Sequence, residues 1–316
     1  MGNLNSSFVN DFGPYVDSIF ADVAHHLNGD SRMVSPNNVF FPLARHKSWF
    51  DGHSYATGLF PFGNGKSQES SSEAVNCYYG AYLWSLVRHG NTSGLSDLVD
   101  FARLLLAMEI RGAKTYWQMT PPESNMTSAT PNVYTAEFEK NYMVGNVGML
   151  DVDANTWFGS DPLYVHMINA LPITAATAVL FDKSYVSKEY PYLMDSRASV
   201  EMAWRGYTTS IHAIIDPAAA WEEAQGLVSY ELDSACSKSQ VLYWISQRPG
   251  FNISIIPSNI PVGDESKPSS GGEGSPKSKS IGGDSASCEK HAGCHGIGLT
   301  GICCPTPEGV FLECCS

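Results

Sequence analysis

Glu69-Ser70-Ser71-Ser72-Glu73 runs straight into Ala74-Val75-Asn76-Cys77-Tyr78-Tyr79-Gly80-Ala81-Tyr82-Leu83-Trp84-Ser85-Leu86-Val87-Arg88, and this stretch sets both the fold class and the chemistry. From Ser72 to Arg88 the large apolar groups recur in helical register, and Gly90 stands where a helix C-cap belongs. If Glu69 and Glu73 open that helix, their i,i+4 spacing puts both carboxylates on one face, with Cβ atoms about 5–6 Å apart. Crowding two like charges costs energy and drives their pKa values apart, which is what a carboxylate acting as a base needs. The plain alternative is a helix start: Ser70, Ser71 or Ser72 serves as N-cap, and the acids sit at the positive end of the helix dipole.

Periodicity extends the helical reading along the chain. Leu95 to Ile110 carries an apolar stripe through Leu98, Phe101, Leu105 and Met108, while Pro191 to Tyr207 and Pro217 to Tyr230 supply further segments. The last has Asp216 placed as a cap before Pro217. A mainly α domain over residues 1–256 is therefore expected. Residues 257–287 are nearly devoid of large apolar groups and cannot offset their ordering entropy by burial, so they read as a disordered linker rich in Pro, Gly and Ser.

Six of the eight cysteines fall between Cys288 and Cys315, and only Cys77 and Cys236 lie in the large domain. Residues 288–316 thus read as a small disulfide-rich module. Zinc held with His291 or His295 is the competing use, but the adjacent pairs Cys303-Cys304 and Cys314-Cys315 lack ordinary ligand spacing. Sequons at Asn5, Asn91, Asn125 and Asn252 are compatible with secretion.

At 316 residues the chain can bury a sizeable core, and its charge of −13 argues against nucleic acid or an anionic membrane surface as partner. Lys277 and Lys279 are the nearest thing to a basic cluster. No apolar run reaches the length of about 18 residues that a membrane span needs. A neutral polysaccharide suits this surface better. Met1-Gly2-Asn3-Leu4-Asn5-Ser6 has no secretory-leader pattern; it fits a myristoylation motif, set aside because residue 8 already reads as domain interior.

Upstream of the two glutamates, Trp49-Phe50-Asp51-Gly52-His53-Ser54-Tyr55-Ala56-Thr57-Gly58-Leu59 groups aromatic rings, an aspartate, a histidine and glycines. The segments 52–59 and 63–73 resemble the Gly-His-Ser-(aromatic)-Ala-x-Gly-Leu and Gly-x-Gly-Lys-x-Gln-Glu-Ser-Ser-Ser-Glu blocks of glycoside hydrolase family 81, the endo-1,3-β-glucanases. Thr156-Trp157-Phe158-Gly159, with His166, Ile168 and Leu171-Pro172-Ile173-Thr174, resembles a second pair of family blocks. The likeness runs over about residues 8 to 250.

The resemblance implies an incomplete (α/α)6 toroid-type catalytic domain and an inverting, two-carboxylate hydrolysis of internal β-1,3-glucosidic bonds, without metal or cofactor. It places Glu73 as the base that activates water and Glu69 in a supporting or alternative role. It places His53, Asp51, Trp49, Tyr55, Trp157 and His166 against substrate, with the rings as stacking surfaces. Ser48 stands where many members carry an aspartate, so Asp51 is its candidate replacement.

The family's general acid lies in an Asp-x-His-Phe-His block, and residues 1–52 contain none; Asp22-Val23-Ala24-His25-His26 aligns with a later segment. The expectation is therefore an amino-terminally truncated, extracellular or cell-wall glucanase that has lost its leader and is impaired in hydrolysis. Two other readings stay open. One is a non-catalytic β-1,3-glucan-binding protein, and the other is a wall protein anchored by the cysteine-rich tail.

Overall fold

The computed structural model describes residues 6–23, 44–56, 63–89, 97–121, 133–196 and 202–252. The expected linker at 257–287 and the cysteine-rich module at 288–316 lie outside the described residues, as does Gly90. The described part is mainly helical, as the periodicity predicts. Its helices are α1 (Ser6–Val23), α2 (Ser71–His89), α3 (Asp97–Tyr116), α4 (Ala136–Glu139), α5 (Pro162–Ile168), α6 (Thr177–Leu180), α7 (Lys183–Ser196), α8 (Arg205–Ile215), α9 (Pro217–Gly226) and α10 (Lys238–Ser246). Among the described residues no helix is long and apolar enough to cross a membrane.

Caps explain several boundaries. Asp216 accepts the N–H groups of Ala218 and Ala219 at 3.1 and 3.0 Å, with Pro217 at the first helical position. Asp161 does the same for Leu163 ahead of Pro162, and Ser237 for Gln240. The segment expected from Pro191 to Tyr207 is different. Pro191 lies inside α7 rather than opening a helix, and Met202–Trp204 is a single 3-10 turn that leads into α8. The buried stripe Tyr185, Val186, Tyr190 and Leu193 crosses the proline, so tertiary burial outweighs the local breaker.

Two apolar clusters organise the fold. The larger joins α5 and α7 to α10 through Leu163, Val186, Leu193, Tyr207, Ile211, Ala220, Trp244 and Ile245. The smaller is Ala44, Tyr78, Phe101 and Leu105, where α2 packs on α3. Helix α1 is tied to α2 by Asp17, which accepts from the Trp84 indole at 2.8 Å and from Arg88 at 2.7 Å. A small antiparallel sheet in the order β1-β2-β3 comprises Ser67–Gln68, Asn146–Gly148 and Val152–Asp153. Its register pairs Gln68 with Val147, which delivers the chain to Glu69 at a defined height.

The apolar stripe of α3 contains one carboxylate. Leu98, Phe101, Ala102, Leu105, Glu109 and Ala113 are all buried along one helical face. Glu109 meets the Lys47 ammonium at 2.6 Å, and accepts the Ser54 N–H and hydroxyl at 2.9 Å each. Lys47 also donates to the Gly52 carbonyl at 3.1 Å and lies over the Tyr78 ring. This network nails the 44–56 loop to α2 and α3. The close approach needs Gly112, because a Cβ there would stand 2.8 Å from the His53 Cβ, and Gly52 turns the loop with φ +86°.

Burial lowers the pKa of Lys47, and the Glu109 carboxylate opposes the shift. Breaking one side of a buried ion pair strands the other charge. Glu109→Gln should therefore destabilise the domain by about 3 kcal/mol in urea unfolding at neutral pH. A change below about 1 kcal/mol, the range of an exposed pair, would show that the network does not hold the loop.

Candidate active site

The glutamate-serine segment is built from its serines outward. Ser70 is the N-cap of α2, since its hydroxyl accepts the Glu73 N–H at 3.2 Å while donating to the Ile168 carbonyl at 2.6 Å. The Ser71 N–H and hydroxyl both reach the Asn169 side-chain oxygen, at 2.9 and 2.8 Å. Ser72 donates to the carbonyls of Ile168 and Leu171. Asn169 is held in turn by the Val144 and Val165 carbonyls. The Ser70 hydroxyl and the Asn169 side chain thus accept N–H groups of the buried helix start, and the three serine hydroxyls dock it on the 168–171 segment.

The helix begins at Ser71, so Glu69 precedes it and the two acids do not form an i,i+4 helical pair. They meet another way. Both line one cavity of about 330 Å³, together with Tyr55, Gln68, Cys77, Tyr78, Trp157 and neighbours. Glu69 is only 7% exposed; its carbonyl accepts from the Trp117 indole at 3.2 Å and its carboxylate from the Trp157 N–H at 2.5 Å. Glu73 lies in the first turn of α2 and is exposed, where the helix dipole favours an anion.

Burial pushes the Glu69 carboxyl above its ordinary value, the Glu73 charge pushes the same way, and the Trp157 N–H opposes them. Glu69 thus sits buried beside an exposed second carboxylate.

The other residues singled out in the sequence divide into two groups. Tyr55 lines the cavity and also an adjoining hollow of about 410 Å³, which it shares with Asp51, Ser48, His46 and Lys66. Asp51 accepts the Ser48 hydroxyl at 2.7 Å, and the Asp51 N–H returns a bond to the same hydroxyl at 3.2 Å. The serine and the aspartate are therefore partners. Trp49 is 45% exposed and its ring lies 6.5 Å from Phe101, away from either lining. Trp157 is on the cavity wall.

The two histidines are turned inward. His53 is 2% exposed, its Nδ1 is 3.1 Å from the Ser54 carbonyl, and its ring packs edge-on against Tyr55, Tyr116 and Trp117. It packs against Trp117, whose indole donates to the Glu69 carbonyl. His166 is buried in α5 between Glu189 and the Asn141 carbonyl. Both were expected against the sugar, and both instead fill the interior, because a motif match records spacing but not which side of the loop faces water.

Glu109, Asn169 and Cys77 went unremarked as site residues. Glu109 had a signal, for a glutamate in register with Leu98 and Leu105 on a core stripe requires a buried cation. Asn169 had none, since the Ser71 that it serves lies 98 residues away. Among the described residues no group of three or more His, Cys, Asp or Glu is placed to hold a metal.

Comparison with known proteins bears on the family. Residues 1–245 match the family model described as Glycosyl hydrolase family 81 C-terminal domain. The chain is 34% identical over 217 residues to glucan endo-1,3-β-D-glucosidase 2 of Saccharomyces cerevisiae, covering 68% of this chain and 25% of that protein. It is 29% identical over 225 residues to the primary septum glucan endo-1,3-β-D-glucosidase of Schizosaccharomyces pombe, covering 70% and 20%. A solved glycoside hydrolase family 81 structure from Clostridium thermocellum, in mutant form, superposes with TM-score 0.55 and 25% identity over 72% of this chain and 28% of that one. The chain spans a quarter or less of the length of these two curated relatives.

A carboxyl whose pKa is raised on folding binds its proton more tightly in the native chain than in the unfolded one. Its contribution to stability is complete below the unfolded value of 4.5 and is lost as pH rises through the native pKa. The stability of the wild type relative to Glu69→Gln should therefore fall as pH rises above the ordinary glutamate value of 4.5 in paired urea titrations. A difference that stays flat or rises with pH would contradict the assignment.

Proposed function

The chain belongs to glycosyl hydrolase family 81, and from that membership we propose that it carries the carboxylate half of an inverting endo-1,3-β-glucanase site. The ligand is a β-1,3-glucan, a neutral polymer that suits a chain of charge −13. The observation that carries the reading is the meeting of Glu69 and Glu73 in one cavity whose wall includes Tyr55 and Trp157. Named relatives from two yeasts, one of them a primary septum enzyme, support an extracellular or wall-associated setting.

The roles follow from what each carboxylate is free to do. Glu69 is nearly buried, its burial favours the protonated form, and its oxygen is engaged by the Trp157 N–H. Glu73 is exposed at the head of α2, and no described residue bonds to its carboxylate, so it can hold and deprotonate a water. In an inverting reaction that water attacks the anomeric carbon from the face opposite the leaving oxygen. A second carboxyl about 6.5–9.5 Å from the base protonates that oxygen.

We assign the donor to none of the cavity-lining groups. Asp51, tied to Ser48 in the adjoining hollow, is given a substrate contact instead. Tyr55 and Trp157 offer ring faces to the sugar. We further propose that these helices form part of the family's α/α toroid.

Glu73→Gln keeps the shape and removes the base. In a form of the protein long enough to turn over laminarin, it should lower kcat by roughly 10²–10⁴-fold, while laminari-oligosaccharide binding stays near wild type. Wild-type turnover in that variant would remove Glu73 from the role.

A further inference from the structure

Trp157 and Phe158 are each about half exposed, at 51% and 52%, yet the turn that carries them is held at every step. The Thr156 hydroxyl donates to the Gly159 carbonyl at 2.9 Å and accepts the N–H groups of Phe158 and Gly159, at 3.3 and 3.0 Å. The Thr156 N–H closes the turn on the same carbonyl at 2.8 Å. Behind it, Phe158 rests on Tyr164 and Trp204 with ring centroids 5.4 and 6.1 Å apart, and those two rings are 5.6 Å from each other. Large rings exposed on a rigid mount are preorganised for a partner, since little freedom is left to lose on binding.

The mount is joined to the carboxylate segment by the bond from the Trp157 N–H to Glu69, 2.5 Å long and spanning 88 residues of chain. We infer that Glu69 is a positioning residue: its oxygen clamps the Thr156–Gly159 turn, so that Trp157 and Phe158 present a fixed apolar strip to pyranose rings of a glucan leaving the cavity. The inference rests on the reading of the cavity as a sugar site. The occupant is a sugar chain because the strip is continuous with the carboxylate cavity through Trp157, and a pyranose has an apolar C–H face that lies flat on an aromatic ring while its hydroxyls stay wet.

A clamp and a base make different demands on residue 69. A base must ionise, whereas a clamp needs only an acceptor oxygen, which glutamine retains and alanine lacks. The test uses the full chain and laminarihexaose in calorimetric titration, with hydrogen exchange at the Trp157 amide as a readout that needs no ligand.

Glu69→Gln should bind within about three-fold of wild type. Glu69→Ala, Trp157→Ala and Phe158→Ala should each bind at least about ten-fold more weakly. The Trp157 amide should exchange faster in Glu69→Ala than in Glu69→Gln. Equal affinity and equal exchange in the Gln and Ala variants would overturn the clamp. If Glu69→Ala does not fold, wild-type affinity in Phe158→Ala and Trp157→Ala would overturn the strip. Failure of the wild type itself to bind laminarihexaose would instead sink the proposed function, and the amide exchange would still decide the clamp.

Discussion

The buried start of α2 is the constraint on which the site depends. A helix N-terminus leaves backbone N–H groups without internal partners, and burying them unpaired is costly. Here Ser70 caps the Glu73 N–H, and Asn169 takes the Ser71 N–H. The Ser70 and Ser72 hydroxyls donate to the Ile168 and Leu171 carbonyls, and the Ser71 hydroxyl donates to the Asn169 side-chain oxygen. A larger residue at any of the three positions would open the interface, and an apolar one would orphan a carbonyl. Glu69 and Glu73 flank this lock, so their separation is set by it rather than by helical spacing.

A second buried network performs a parallel task for the other half of the motif. Glu109, Lys47, Ser54 and Tyr78 fix the 44–56 loop against α2 and α3. With His53 packed inward, Tyr55 is left facing the cavity. The two halves of the motif therefore divide their work. One supplies carboxylates and the other supplies a wall, and most of the polar residues between them hold these groups in place.

Desolvation at Glu69 is a cost that the fold bears locally. Its side chain is nearly buried, and the Trp157 N–H returns part of that cost as a hydrogen bond to the carboxyl oxygen. The two glutamates of one cavity therefore differ in burial and in hydrogen-bond partners. That asymmetry, rather than mere proximity, separates their proposed roles.

Much of this was legible in the amino-acid order. Helical period alone announced a mainly α domain, Asp216-Pro217 marked a helix start, and the runs around His53 and Glu69 carried the family likeness. These are local properties, written in spacing of a few residues. Tertiary structure decided the rest: that α2 opens at Ser71 and not at Glu69, that Pro191 sits within a helix, and that His53 and His166 face the interior. It also decided that Ser48 and Asp51 bond to each other, and that Trp157 leans on Glu69 from far along the chain. Each of these outcomes turns on which surfaces are removed from water when distant segments meet. Burial of that kind is a property of the assembled fold, and no short stretch of sequence contains it.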